Sequence, residues 1–237
     1  MSYFRKYFSR FNSDASFKIT DKKLVSSFTD DPEFPFLVSF PRTGSHWLRL
    51  LMELYFEKPA LVRAFYYKDA MDFTCYHHHD ENLELSGRKN VIYLYRNPVD
   101  TVYSQMCYYN QKIDDEARIQ EWSNLYGRHL KKWLVDEKSL VKKTILTYEG
   151  LNSDLHNEFS KLLAHFGETL DQERLDDVAR QVSKSSLKKK TMHDKQVVNT
   201  SEAYSEQRGE FRLKYATLIF SRIYDVTTKL EEFLAEE

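Results

Sequence analysis

The chain predicts an α/β fold, a single domain with a central, mostly parallel sheet flanked by helices. Three observations carry this. Short apolar, β-rich runs occur at residues 36–40, 73–79, 90–95 and 144–147. Stretches with helical spacing of apolar residues lie between or after them, at 99–109, 118–135 and 152–166. Two of the strand ends run directly into a helix start with an arginine at the junction. Strands alternating with helices imply parallel pairing, and ligands in such sheets bind beyond the carboxyl ends of the strands. Arg42 and Arg96 both emerge there.

The first junction is the most informative stretch. Residues 36–40 reach Pro41, a loop of Arg42, Thr43, Gly44, Ser45 and His46 follows, and Trp47 opens a helix with Leu48, Leu51, Met52 and Tyr55 on one face. A strand, a phosphate-sized loop and a helix N-terminus aim unpaired N–H groups and the positive end of the helix dipole at one spot, which suits a phosphate or sulfate ester. Gly44 lets the backbone approach closely and Arg42 adds a full charge. The second junction repeats this logic. The run 91–95 ends in Arg96-Asn97-Pro98, with Asn97 a good N-cap, Pro98 suited to the first turn, and Ser104 two turns along the helix. An arginine at a strand end gives bidentate contact to a phosphate, and the serine adds a hydroxyl from the side. Pairing of Arg96 with Asp100 is the plainer alternative. Two such junctions in one sheet suggest one ligand with two separated phosphoryl groups.

Composition bounds the rest. At 237 residues and 41% apolar content the chain can bury one large core. A formal charge of -1 makes no general case for nucleic acid or an anionic membrane, so any anion site is local. No apolar run approaches a membrane span. Cys75 and Cys107 form no disulfide framework and no metal spacing, which fits reduced thiols in a cytoplasmic protein. Residues 1–33 read as a helical or irregular extension, with residues 1–17 a helix packed on the domain, and 34–237 as the domain itself. Residues 170–212 are polar, with a Lys- and Ser-rich run at 183–190. They read either as a solvated surface or mobile loop or as a cover closing over an anionic ligand. An amphipathic helix is expected at 213–233.

At this point the residues carry a resemblance. Pro41-Arg42-Thr43-Gly44-Ser45-His46-Trp47 resembles the P-K-S-G-T-T-W loop of the sulfotransferases that use 3'-phosphoadenosine 5'-phosphosulfate (PAPS), and residues 93–104 resemble their R-N-P-x-D-x-x-x-S loop. Residues 146–151 are similar to the Y-E-D-L strand end, Ser185-Ser186-Leu187 to the S-F-x-x-M stretch, and Gln207-Arg208-Gly209 to the R-K-G segment. The resemblance implies a P-loop NTPase-like sulfotransferase architecture over most of the chain. It also implies sulfuryl transfer from PAPS to a hydroxyl or amine, giving adenosine 3',5'-bisphosphate (PAP). Under it the 5'-phosphosulfate falls to Arg42, Thr43, Gly44, Ser45 and His46, and adenine to Trp47. The 3'-phosphate falls to Arg96, Ser104, Arg208 and Gly209, Ser185 is a further cofactor-binding residue, and Tyr148 faces the adenosine. The family's lysine is Arg42 here. Arg42 can stabilise charge on a departing phosphate but does not readily hand over a proton.

The family's base is a histidine at the strand end before R-N-P, a region that here reads Cys75-Tyr76-His77-His78-His79-Asp80. Strand alternation puts His77 and His79 on one face and His78 on the other, and either of the first two can deprotonate an alcohol or phenol. His79 is preferred, at the end of the run, with Asp80 a candidate to orient an imidazole. A zinc or iron site from His77, His79 and Asp80 or Glu81 is the alternative, as are histidines simply hydrogen-bonded at a strand end. No further well-spaced ligand set appears, so no metal is expected. The acceptor is expected to be a small molecule in a pocket drawn from residues 59–71 and 103–112 and lined by Phe65, Tyr66, Tyr67, Tyr108 and Tyr109. Two other classes stay open: a non-catalytic PAP- or PAPS-binding or regulatory protein, and a P-loop kinase, for which no G-x-x-x-x-G-K-[ST] is present.

Overall fold

The computed structural model describes residues 16–136, 141–182 and 202–223, with 226 and 228. Its centre is a four-stranded parallel sheet of β2 (Phe36–Ser39), β4 (Tyr76–His78), β5 (Asn90–Tyr95) and β6 (Lys142–Thr147) in the order β4-β2-β5-β6. A small antiparallel pair, β1 (Phe17–Lys18) with β3 (Arg63–Ala64), lies apart from it, and helix α1 (Lys22–Thr29) follows β1. All four residues of β2 are buried. That is why the strand reads as an unbroken apolar run: an inner parallel strand is covered on both faces.

Alternation divides the core. Leu37, Ile92, Leu94 and Leu146 pack on one face against α2 (Ser45–Phe56), α6 (Leu155–Phe166) and α7 (Gln172–Gln181), through Leu48, Leu51, Phe159, Leu163 and Leu175. Phe36, Val38, Tyr93 and Ile145 pack on the other against Tyr126, Leu130 and Trp133, from α4 (Glu116–Leu130) and the π-helical segment Lys131–Asp136 that continues it. A third cluster joins α3 (Pro98–Tyr108) to α4 and the long helix Glu202–Ser221 through Val102, Met106, Ile119, Phe211, Tyr215 and Ile219. The predicted sheet, with helices on both sides, is the observed one.

Local departures have physical causes. The helix expected at 118–135 changes to π geometry after Leu130. The helix expected at 152–166 is two, α5 (Tyr148–Ser153) and α6, because the Asp154 side chain accepts from Asn157 N and starts a new helix. The last helix begins at Glu202 rather than at 213, so the polar stretch 170–212 contains α7 and half of that helix. Its exposed face is polar, which hid the helical period. Residues 1–15, within the expected N-terminal helix, and 183–201, with Ser185 and the lysine run, lie outside the described residues. Phe17, the last residue of that expected helix, is in strand β1.

Candidate active site

The two junctions form as their sequences dictate. After β2 the backbone turns through Arg42 (φ 71) and Gly44 (φ 96), both left-handed, and Gly44 becomes the N-cap of α2. A glycine cap supplies no side-chain oxygen, and with Trp47 N donating to Gly44 O at 3.0 Å the N–H groups of Ser45 and His46 are the ones this cap leaves for a ligand. A Cβ on Gly44 would lie 2.5 Å from Tyr148 Cδ2, so this position has room for hydrogen alone. Thr43 and Ser45 are buried, and Thr43 Oγ1 donates to Phe40 O at 2.8 Å, which turns that side chain inward and closes the loop. At the second junction Asn97 Oδ1 accepts from Val99 N at 3.0 Å and caps α3, with Pro98 in its first turn.

The fold joins the two junctions. Arg42 Nε donates to Ser104 Oγ at 3.2 Å, and Arg96 Nη1 donates to Arg42 O at 2.7 Å. Arg96 is buried, its guanidinium 4.4 Å from the Tyr148 ring centroid, and its Nε has no hydrogen-bond partner among the described residues. Trp47 meets Tyr148 edge-on at 6.1 Å. Arg42 lies 5.0 Å from the Tyr108 ring centroid, and burial pulls its pKa below the usual guanidinium value. Arg42, Gly44, Trp47, Arg96, Ser104 and Tyr148 are thus one cluster.

Asp100 does not pair with Arg96. Its carboxylate, buried at 5% exposure, takes two hydrogen bonds from Arg212, Nε–Oδ1 at 2.7 Å and Nη2–Oδ2 at 2.5 Å. This fork docks the helix Glu202–Ser221 on α3. It brings in Tyr204, whose carbonyl accepts from Tyr103 O–H at 3.3 Å and whose phenol bonds Ser104. Arg208 is half-buried on this helix, near enough to Tyr103 to favour its ionised form, although burial dominates there. Gly209 is exposed in mid-helix with open space where a Cβ would go, and it is not brought to the cluster.

The histidines sit at the end of β4. His77 and His79 face each other at 4.6 Å between ring centroids, while His78 stacks on Tyr76. Ser39, the last residue of β2, holds both: its hydroxyl is 3.1 Å from His77 Nε2, and its carbonyl accepts from His79 Nδ1 at 2.8 Å. A carbonyl only accepts, so Nδ1 of His79 carries the proton and Nε2 is the basic nitrogen. His129 Nε2 donates to His79 O at 2.8 Å and so also has a fixed tautomer, its Nδ1 accepting from Tyr93 O–H at 2.8 Å. Burial lowers the His79 pKa to about 4, with Arg49 adding to the effect and the Ser39 carbonyl opposing it. His77 is held well below the usual value, by burial and then by Arg49.

The Asp80 carboxylate does not orient an imidazole, although the residue's backbone N–H donates to His78 Nδ1 at 2.9 Å. Its carboxylate accepts from Lys132 Nζ at 2.6 Å, Trp133 Nε1 at 3.0 Å and Leu85 N at 2.8 Å, and its left-handed backbone (φ 48) turns the side chain away.

A cavity of about 590 Å³ opens beside these histidines, with His46, Arg49, Arg63, His77, His79 and Glu81 among its walls. The aromatic lining expected for the acceptor pocket is absent from it: Phe65 lies in the core and Tyr108 under Arg42. Residues 59–71 contribute Val62 and Arg63 instead. Glu53 braces this wall, its buried carboxylate accepting from Phe65 N at 2.8 Å, Tyr66 N at 2.6 Å and Tyr67 N at 2.9 Å. Sequence reasoning missed Ser39, Arg49, Glu53, Arg63, His129, Tyr204 and Arg212. The Ser45, Arg49, Glu53 spacing along α2 was the one visible signal for an inward polar stripe.

Among the described residues no helix is long and apolar enough to cross a membrane, and no group of three His, Cys, Asp or Glu side chains could hold a metal ion. No curated protein matches the sequence. The crystal structure of mouse sulfotransferase SULT7A1 complexed with PAP is similar at TM-score 0.50 and 17% identity, over 92% of this chain and 95% of that one. Retinol dehydratase in complex with androsterone and inactive cofactor PAP is more distant, at TM-score 0.45 and 10% identity, over 80% and 83%. The sulfotransferase domain model matches residues 33–218. With more than three quarters of its length under that model, the chain belongs to the sulfotransferase domain family.

Proposed function

We propose that this protein moves the sulfuryl group of PAPS to a hydroxyl or amine of a small-molecule acceptor, releasing PAP, with residues 34–237 as the catalytic domain. The observation that carries the reading is the linked pair of junctions, Arg42 to Ser104 and Arg96 to the Arg42 carbonyl. The residues fit a bisphosphorylated nucleotide: the Gly44 cradle has no room for a side chain, and Arg96 Nε is a buried donor with no partner among the described residues. The crystal complex of SULT7A1 with PAP adds support.

Within this reading PAPS supplies the activated sulfuryl group. The N–H groups of Thr43 to His46 hold the 5'-phosphate, and Arg42 stabilises charge on it as it departs, without donating a proton. Arg96 and Ser104 hold the 3'-phosphate, aided by Arg208 from the long helix. Ser185, outside the described residues, and Gly209, exposed on the long helix, remain candidates for cofactor contact on the resemblance alone. Trp47 and Tyr148 offer ring faces and edges to adenine. His79 is the base, because its Nε2 is the unprotonated nitrogen and it lines the cavity; His77 is the second choice. Free Cys75 and Cys107 agree with a cytoplasmic, reducing setting.

Calorimetry and label transfer test the reading. PAP should bind far more tightly than ATP, radiolabelled PAPS should label a product from an acceptor library, and Arg42→Ala should lower turnover about 10²-fold or more. Equal affinity for ATP, or transfer that survives Arg42→Ala undiminished, would overturn it.

A further inference from the structure

Three residues around the site stand in the same place in the fold. Phe40, which leads into the Arg42 loop, His79 and Arg96 each follow directly on the last residue of a sheet strand, Ser39 of β2, His78 of β4 and Tyr95 of β5. Past the end of a strand the ladder no longer fixes the backbone, and its polar groups need other partners. Helix α4 supplies contacts to all three from two positions on one face, Tyr126 and His129, both at 0% exposure.

The contacts are specific. Tyr126 O–H donates to Arg96 O at 2.9 Å and its oxygen accepts from Arg96 N at 3.3 Å, so one phenol holds both backbone polar groups of the arginine. His129 Nε2 donates to His79 O at 2.8 Å, while its Nδ1 accepts from Tyr93 O–H at 2.8 Å. Burial lowers the His129 pKa to about 4, which keeps this ring neutral near pH 7. Phe40 touches both side chains, stacked on Tyr126 at 4.6 Å and edge-on to His129 at 5.5 Å between ring centroids. Further along, in the π-helical segment, Lys132 and Trp133 take the Asp80 carboxylate next to His79. Packing alone does not call for these polar groups. The cluster around Tyr126 is built from Phe36, Val38, Leu130 and Trp133, and a hydroxyl or imidazole buried there is costly unless hydrogen-bonded. Both make their bonds to the backbone of a site residue.

We infer that Tyr126 and His129 are positioning residues for sulfuryl transfer: Tyr126 sets Arg96 for the 3'-phosphate and His129 sets His79 for the acceptor, so that α4 fixes the span between them. The inference rests on the sulfuryl-transfer reading for the roles of Arg96 and His79. Neither positioning residue touches a ligand; each acts through the backbone of another. A strand end that shifts by about 1 Å misplaces the group it carries, and misplacement on that scale costs about 10²-fold in rate.

Two substitutions separate the roles. Tyr126→Phe removes one oxygen and keeps the ring against Phe40, and His129→Phe removes the donor while keeping a ring. His129→Gln restores an N–H close to the position of Nε2. Each protein is titrated calorimetrically with PAP, and its histidine ring nitrogens are observed by NMR, with the His79 signals assigned by their loss in His79→Gln. Tyr126→Phe should weaken PAP binding about tenfold, the equivalent of one buried hydrogen bond, and leave the His79 signals as in wild type. His129→Phe should leave PAP affinity unchanged and convert His79 from the single Nδ1–H tautomer to a mixture, which His129→Gln should reverse. Unchanged PAP affinity in Tyr126→Phe overturns the inference, and so do His79 signals that His129→Phe leaves unmoved or that Tyr126→Phe moves equally. A lowered Tm without these changes shows a structural role only. The Tyr126→Phe result decides by itself if His129→Phe does not fold. Failure of the wild type to bind PAP removes the transfer reading and the inference together, whereas PAP binding that is intact in every variant removes the inference alone.

Discussion

Replacing Gly44 by alanine probes the centre of the site with one methyl group. That methyl would lie 2.5 Å from Tyr148 Cδ2 and 2.8 Å from Cε2, and the residue would keep φ 96. A left-handed backbone costs a non-glycine residue about 1–2 kcal/mol. Relieving the overlap requires moving a ring held under Arg96 at 4.4 Å and beside Trp47 at 6.1 Å, and overpacking of this kind costs about 1–3 kcal/mol. The sum is about 3 kcal/mol, which for a domain of this size lowers Tm by about 6–12 °C. PAP affinity should fall tenfold or more, because both arginines take their positions from this loop. The two contributions separate in a double-mutant cycle. Adding Tyr148→Ala removes the overlap and leaves the backbone strain, so the two substitutions should couple by about 1–3 kcal/mol. A Gly44→Ala protein with unchanged Tm and PAP affinity would refute the cradle, and strictly additive effects would refute the steric contact.

Two further outcomes are expected. With a His79 pKa near 4, the basic form of its imidazole fills as pH rises through that value, so kcat/KM should hold level from pH 8 to about pH 5 and decline only as pH approaches 4. An acid limb between pH 6 and 7, the ordinary histidine range, would remove His79 as the base. Arg212→Ala leaves the buried Asp100 carboxylate without its fork; because Arg212 is half-exposed, the loss should be about 1–2 kcal/mol, below the cost of breaking a fully buried pair. Urea unfolding measures it, and a midpoint equal to wild type would show that the fork does not hold the long helix in place.

What the sequence disclosed was what local chemistry specifies. Asn97 and Pro98 announce the start of α3, Gly44 marks the left-handed turn into α2, and alternation along β4 separates His78 from His77 and His79. The hidden features depend on residues far apart in the chain. Asp100 finds Arg212 across 112 positions, and Lys132 captures Asp80 across 52, which sequence reading had offered to an imidazole. No periodicity signals such pairs. The lining of the cavity beside the histidines was hidden for a related reason. Aromatic residues near the site suggested a ring-lined pocket, but Phe65 serves the core, while α2 turns its polar stripe of Ser45, Arg49 and Glu53 inward. The long helix was placed too late because residues 203–210 lie mostly exposed and carry no apolar repeat.

Ser39 and Arg42 are three residues apart at the end of one buried strand. The first fixes the tautomer of His79 and the second belongs to the phosphate loop. Donor side and acceptor side therefore share a single mechanical reference. On the proposed reading, the span from leaving phosphate to base is set by the innermost part of the sheet.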